Sequence, residues 1–142
     1  MSTAAIQVDR EAILEHVHGL FRAYIRQDRD AIQRGHTTDW KGFQVKSTTI
    51  VRGIDAYMVA ADASLRNAPG IRYELLETEI DVHGDLAIVF YTADYWFRDG
   101  SGDEKRMPLR AVDLYRREAD GWNQFGSNIS IRPESEDWQA KR

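Results

Sequence analysis

Apolar residues recur at two different periods along this chain, and the change between them divides it. In the first part the period is helical. Ile13, Val17, Leu20, Phe21, Tyr24 and Ile25 fall on one side of a single helix. Asp9 is its expected N-cap, with Glu11 in the first turn, and residues 1–8 are expected to form a loose lead. A second short helix is expected over residues 30–34, stopping at Gly35. Residues 36–53 read as a loop and two short extended pieces. Asp55 is the expected cap of another helix, with Ile54, Met58, Ala61 and Leu65 as its buried stripe. Asn67-Ala68-Pro69-Gly70 ends it.

From there the period is two. Residues 72–82, 85–98, 104–117 and 122–132 read as strands. The connections Val82-His83-Gly84-Asp85, Asp99-Gly100-Ser101-Gly102 and Ala119-Asp120-Gly121 are hairpin-type turns, which makes these strands antiparallel neighbours. The tail after Pro133 is polar apart from Trp138 and is expected to fray. Helices followed by a run of strands predict an α+β domain, with helices on one face of a curved antiparallel sheet. The expectation is a single domain over residues 1–142 with its core at about 9–132.

Two features break the alternation. Leu109, Ala111, Asp113 and Tyr115 share one strand face, so a carboxylate stands where an apolar residue is expected. Such a group must find partners, hold its proton, or cost roughly several kcal/mol. In the preceding strand both parities are apolar. One holds Phe90, Thr92, Asp94 and Trp96; the other holds Ala87, Val89, Tyr91, Ala93, Tyr95 and Phe97. An antiparallel sheet with one wet face would not read this way. The wholly apolar set, continued by Val112, Leu114, Ile129 and Ile131, is expected to meet a second copy of the chain. Val89, Tyr91, Tyr95, Val112, Leu114 and Ile129 are the expected residues of this homodimer interface, the alternative cover being a tail or helix.

Composition narrows the partners. Net charge is −4, which gives no basic field for nucleic acid or anionic membranes. The chain has no cysteine, so disulfides and thiolate metal sites are excluded. No apolar run approaches the roughly 20 residues of a membrane span. The start lacks a basic segment followed by an apolar one, so a cytoplasmic location is expected. His16 and His18 diverge on their helix and cannot chelate together, and His83 is expected in solvent; no metal and no cofactor are expected. Arg116-Arg117-Glu118 reads as a solvated strand end, and Arg110 as a salt-bridge partner across the dimer or at the pocket mouth. There is no nucleophile elbow and no phosphate loop.

The order of several short segments is similar to a known family. These are Gln27-Asp28-Arg29-Asp30-Ala31-Ile32, Val51-Arg52-Gly53-Ile54-Asp55-Ala56, Val82-His83-Gly84-Asp85-Leu86-Ala87, Arg110-Ala111-Val112-Asp113-Leu114-Tyr115-Arg116, Asp120-Gly121-Trp122 and Asn128-Ile129-Ser130. Over about residues 9–132 the chain resembles the nuclear-transport-factor-2-like superfamily, in its SnoaL-like or ketosteroid-isomerase-like group. The resemblance implies a cystatin-like cone, a curved sheet wrapped around helices with a deep, mostly apolar pocket, and dimers through the outer sheet face. It also places Asp113 where steroid isomerases keep a protonated aspartic acid that donates to an oxyanion. Their catalytic base falls at Gln44, an amide that cannot act as a base, and their oxyanion tyrosine falls at Leu20, with Tyr24 one turn further along. Those departures count against ketosteroid isomerisation.

The resulting candidate pocket is lined by Gln44, Phe90, Thr92, Asp94, Trp96, Asp113, Tyr115, Asn128 and Ser130 from the sheet side. Phe21, Tyr24, Trp40, Tyr57 and Met58 join it from helices and loops. Aromatic walls with a few convergent polar groups describe a small-molecule site. In a catalytic reading Asp113 polarises an oxygen, Asp94 or His36 moves a proton, with Asp39 orienting His36, and Trp96, Tyr24 and Trp40 stack. The chemistry would be that of an isomerase, cyclase or dehydratase on an apolar or polyaromatic substrate. The alternatives are a non-catalytic ligand carrier or an association module, with Asp113 bonded to Asn128, Ser130 or an arginine as a satisfied core network.

Overall fold

A computed structural model describes residues 2–134 of the chain; Trp138 and the expected fraying of the tail lie outside the described residues. The elements run α1 (Thr3–Arg26), α2 (Arg29–Arg34), β1 (His36–Phe43), β2 (Val51–Arg52), α3 (Ile54–Asn67), β3 (Gly70–His83), β4 (Leu86–Arg98), β5 (Glu104–Glu118) and β6 (Gly121–Ile131). The strands form a six-stranded curved, unclosed sheet in the order β2-β1-β6-β5-β4-β3, with β1 parallel to β6 and every other pair antiparallel.

The α1 helix starts well before Asp9. Ser2 is its N-cap, its hydroxyl accepting from the Ala5 N–H at 3.1 Å, so the expected loose lead is helix. Asp9 instead sits inside the helix and is 8% exposed. Its carboxylate accepts from Trp122 Nε1 at 3.1 Å and from both Arg117 Nη atoms at 3.1 and 2.9 Å. This ties the N-terminal helix to the β5–β6 hairpin. Asp28 caps α2 and Gly35 stops it, as expected. For α3 the N-cap is Gly53 at φ +87°, a conformation that strains a side chain, and Asp55 lies in the first turn instead. Gly42 serves a different need. A side chain there would collide with the Ser127 carbonyl, so only glycine lets β1 lie this close to β6.

Strand register decides which side chains face the helices. Between β4 and β5, Val89 pairs with Asp113, Tyr91 with Ala111 and Phe90 with Val112. Between β5 and β6, Tyr115 pairs with Gln124 but Leu114 with Gly126, so β6 carries a bulge at Phe125. Beyond it Asp113 pairs with Ser127 and Ala111 with Ile129. The inner face therefore holds Ala87, Val89, Tyr91, Ala93, Tyr95, Leu109, Ala111, Asp113, Ser127 and Ile129. Two expectations are corrected. Phe90, Thr92, Asp94, Trp96, Asn128 and Ser130 stand on the outer face, not in the pocket. Val89, Tyr91, Tyr95 and Ile129, expected on the outer face, point inward and pack in one cluster with Ile13, Val17 and Phe21 of α1. A second cluster joins Ile32, Trp40, Tyr57, Met58 and Ala61 across α2, β1 and α3.

Arg116 and Arg117 are ion-paired rather than merely solvated, with Asp39 and with Asp9 and Asp85 respectively. The Arg117 hydrogen bond holds the Asp9 carboxyl below the usual carboxylate range, so this contact stabilises the fold at neutral pH and is lost on acidification through that lowered value. Replacing Asp9 by Ala leaves the Trp122 N–H buried without its acceptor, at a cost of about 1–3 kcal/mol. Urea unfolding at pH 7 is expected to show that loss for Asp9→Ala and none for Asp85→Ala, since Asp85 is largely exposed.

Candidate functional site

A cavity of about 520 Å³ lies between the helices and the inner sheet face. Phe21 and Tyr24 reach it from α1, His36, Trp40 and Gln44 from β1 and the turn after it, and Tyr57 from α3. The sheet supplies Tyr91, Tyr95, Leu109, Asp113, Ser127 and Ile129. A second concavity of about 560 Å³ lies on the outer face, lined by Glu77, Glu79, Phe90, Thr92, Arg110, Val112, Asn128 and Ser130. The inner one is the candidate site, because strongly perturbed titratable groups line it.

Asp113 is 4% exposed, and its Oδ1 accepts from Ser127 Oγ at 2.6 Å. Burial pushes its carboxyl up to about 7, with the Ser127 hydrogen bond pulling the other way. Both protonation states are therefore populated near neutral pH. The folded chain holds this proton to higher pH than the unfolded chain does. The stability linked to it is full below the ordinary carboxylate value and is lost as pH rises to about 7. Around it stand tyrosines that keep their protons. Tyr24 and Tyr57 share a hydroxyl–hydroxyl bond of 2.7 Å, and burial raises Tyr24 to about 12 and Tyr57 well above its ordinary value. Tyr91 is raised first by burial and then by the charge of Asp113.

His36 is buried at the start of β1, not in a loop beside Asp39. Its Nδ1 lies 2.6 Å from the Ile32 carbonyl oxygen, which can only accept, so Nδ1 carries the proton and Nε2 is left as an acceptor. Burial lowers its pKa to about 4 against the raising effect of that bond, so the ring is neutral. It packs against Tyr57 with 4.0 Å between ring centres and the ring planes tilted by 33°. Asp39 is engaged elsewhere, accepting from Thr37 Oγ1 at 2.7 Å and from Arg116 at 3.0 and 3.3 Å. Asp94 is also outside. Arg132 first, then Arg106, hold it ionised on the outer face at 2.9 and 2.7 Å, so it shares no proton with Asp113.

The remaining expected residues separate cleanly. Tyr24, Trp40, Gln44 and Tyr57 line the cavity. Trp40 is oriented by its Nε1–H donating to Gln124 Oε1 at 2.9 Å, and Gln44 Nε2 donates to the Tyr57 carbonyl at 3.2 Å. Tyr115 is fully buried behind the wall, with its hydroxyl 2.9 Å from His16 Nδ1, and Met58 belongs to the helical core. Phe90, Thr92, Asn128 and Ser130 line the outer concavity, and Trp96 lies beneath the Arg72 guanidinium at 4.3 Å. Arg110 donates to Ser130 Oγ at 3.2 Å, not to a carboxylate. Tyr91, Tyr95, Ser127 and Gln124 were not anticipated. The signal for the first two was the hairpin pairing opposite Asp113; Ser127 needed the bulge. Among the described residues no three His, Asp or Glu side chains gather as metal ligands, and no helix is long and apolar enough to cross a membrane.

Known structures share this architecture. A candidate dehydratase of the NTF2-like family from Streptomyces avermitilis superposes with a TM-score of 0.80 at 17% identity, covering 89% of this chain and 99% of that one. A ketosteroid isomerase-like protein from Erwinia carotovora atroseptica gives 0.73 at 17% identity over 87% and 95%. The CaMKII hub of S. rosetta gives 0.72 at 19% identity over 86% and 95%. At these identities the likeness is one of fold. No curated protein matches the sequence. The profile of the SnoaL-like domain matches residues 13–132, which span every element from the middle of α1 to the end of β6. The chain therefore belongs to the SnoaL-like family, with the cystatin-like cone of the nuclear-transport-factor-2-like group.

Proposed function

We propose that this protein binds a small, largely apolar molecule in its cone and moves a proton on it through Asp113. The observation that carries the reading is the buried Asp113 carboxyl, raised to about 7 in the wall of an aromatic cavity. As a carboxylate it can take a proton from a ligand carbon beside a carbonyl while the tyrosine hydroxyls bond the oxygen that gains negative charge; as the acid so formed it can return a proton to carbon. A group whose pKa matches the working pH is suited to both steps. The tyrosine hydroxyls hold their protons and supply further donors, while His36 is too weakly basic to compete for the proton at neutral pH. This supports isomerase-, cyclase- or dehydratase-type chemistry, with Asp94 no part of it. A ligand carrier would use the same cavity without turnover.

The two are separated by hydrogen–deuterium exchange at the acidic carbon of 2-tetralone in deuterated buffer, followed by NMR. The intact chain is expected to accelerate exchange over buffer, and Asp113→Asn to remove roughly a hundredfold or more of that acceleration. Exchange no faster than buffer alone would sink the proton-transfer reading.

A specific observation favours a partner on the other side of the sheet. Phe90 is 42% exposed at the centre of the outer concavity, with Glu77 and Glu79 on one flank and Arg110 on another. A two-fold axis there sets Arg110 of one copy against the acidic pair of the next while covering Phe90, Val112 and Leu114. The proposed homodimer thus uses the outer face, with a residue set different from the one read off the sequence. Light scattering at micromolar concentration is expected to give twice the chain mass. Phe90→Glu is expected to raise the dissociation constant at least about tenfold. A monomeric wild type would contradict the dimer.

A further inference from the structure

Asp113 has two carboxyl oxygens, and they stand in different surroundings. Oδ1 accepts from Ser127 Oγ at 2.6 Å. Oδ2 has no hydrogen-bond partner among the described residues. Nor is it sealed off, since Gln44 Oε1 is the buried side-chain atom among them that lacks both a partner and access. Asp113 lines the cavity, so Oδ2 is the oxygen that a molecule there can reach.

Ser127 is held in place from both sides. The bulge at Phe125 sets it across from Asp113 on β5. On its other flank β1 runs parallel, with Gly42 opposite Ser127 and no room there for a side chain. Backbone placement thus brings the hydroxyl to Oδ1. A proton arriving at Oδ1 would weaken that bond, because a protonated oxygen is a poorer acceptor than a carboxylate oxygen. A proton arriving at Oδ2 keeps it.

We propose that Ser127 is the positioning residue of this site: by holding Oδ1 it makes the cavity-facing Oδ2 the oxygen that takes a proton from the ligand and gives it back. The proposal rests on the proton-transfer reading above and adds to it the atom that acts and the residue that assigns it. In the forward step the ligand C–H bond breaks, the Oδ2–H bond forms, and the electron pair moves towards the carbonyl oxygen. The return step reverses this and delivers the proton to carbon. A donor on the carboxylate favours its charged form, so Ser127 also sets how far down in pH Asp113 remains a base, against the burial that raises it. The other groups around it stay uncharged at pH 7. Burial raises Tyr24 on α1, Tyr57 on α3, and Tyr91, Tyr95 and Tyr115 on the sheet, and it lowers His36 on β1 and His16 on α1. Lys46, the cation of the cavity lining, is exposed.

The test uses the full chain and two readouts, the carbon-13 titration of the Asp113 carboxyl and the pH dependence of 2-tetralone exchange in deuterated buffer. Ser127→Ala is expected to raise both midpoints by about one pH unit and to slow exchange at pH 6 roughly tenfold relative to the wild type. Ser127→Thr, which keeps a hydroxyl, is expected to bring both midpoints to within about 0.3 unit of the wild type. A merely structural role moves them the other way, because a loosened wall admits water to the carboxyl and lowers its midpoint. Circular dichroism melting checks that the variants are folded. If Ser127→Ala is not, Ser127→Cys, a weaker donor of similar size, is read in its place and is expected to shift in the same direction. Midpoints unmoved or lowered in the folded variant overturn the role of Ser127 and leave the proton-transfer reading standing. Wild-type exchange no faster than buffer overturns that reading and this inference with it.

Discussion

Hydrogen bonding between β4 and β5 pairs Val89 with Asp113, and that pairing sets the face of every side chain in the middle of the sheet. Because side chains alternate, a slip of one residue would carry Asp113 away from Val89 and Tyr91 and set it beside Phe90 and Thr92. The bulge at Phe125 then corrects β6 by one position, so that Ser127, and not Gly126 or Asn128, is the residue across from Asp113. The short bond from Ser127 is the polar contact that accompanies the buried carboxyl, and the aromatic wall around it follows from the same register. A carboxyl desolvated to this degree, with a single hydroxyl for support, holds its proton into the neutral range.

Much of this fold was legible in the sequence. The helical period in α1, the breakers at Gly35 and Asn67-Ala68-Pro69-Gly70, and the three hairpin turns locate the elements and their antiparallel order. The start of α1 was misread because Asp9 is a good cap by type, whereas here it binds Trp122 and Arg117. That contact joins residues far apart in sequence, so no local pattern announces it. The parallel seat of β1 beside β6 is likewise a long-range pairing, hinted at only by Gly42.

The site was legible in part. Asp113, Gln44, Tyr24, Trp40 and Tyr57 were located by alternation and resemblance, and they do converge on one cavity. The errors have a physical pattern. Alternation within a strand does not say which parity faces the helices. The pairing of Arg98 with Glu104 sets Tyr91 and Tyr95 inward with Asp113 and turns Phe90, Thr92, Asp94 and Trp96 outward. Asn128 and Ser130 face outward because of the bulge at Phe125; without it they would face the cavity. Both parities of β4 are apolar, so hydrophobicity could not arbitrate. His36 was misjudged because its partner is a backbone carbonyl four residues back, which residue types do not reveal.

Burial in the inner wall of the cone raises the Asp113 carboxyl towards neutrality. The most direct measurement is the NMR titration of the Asp113 side-chain carboxyl carbon in chain labelled with carbon-13 at aspartate, assigned by comparison with Asp113→Asn. A midpoint at about pH 7 is expected, well apart from Asp9, Asp39 and Asp94, whose arginine partners hold them below the usual range. A midpoint for Asp113 in the ordinary carboxylate range would contradict it, because the group would then be solvated or ion-paired rather than enclosed in the cavity wall.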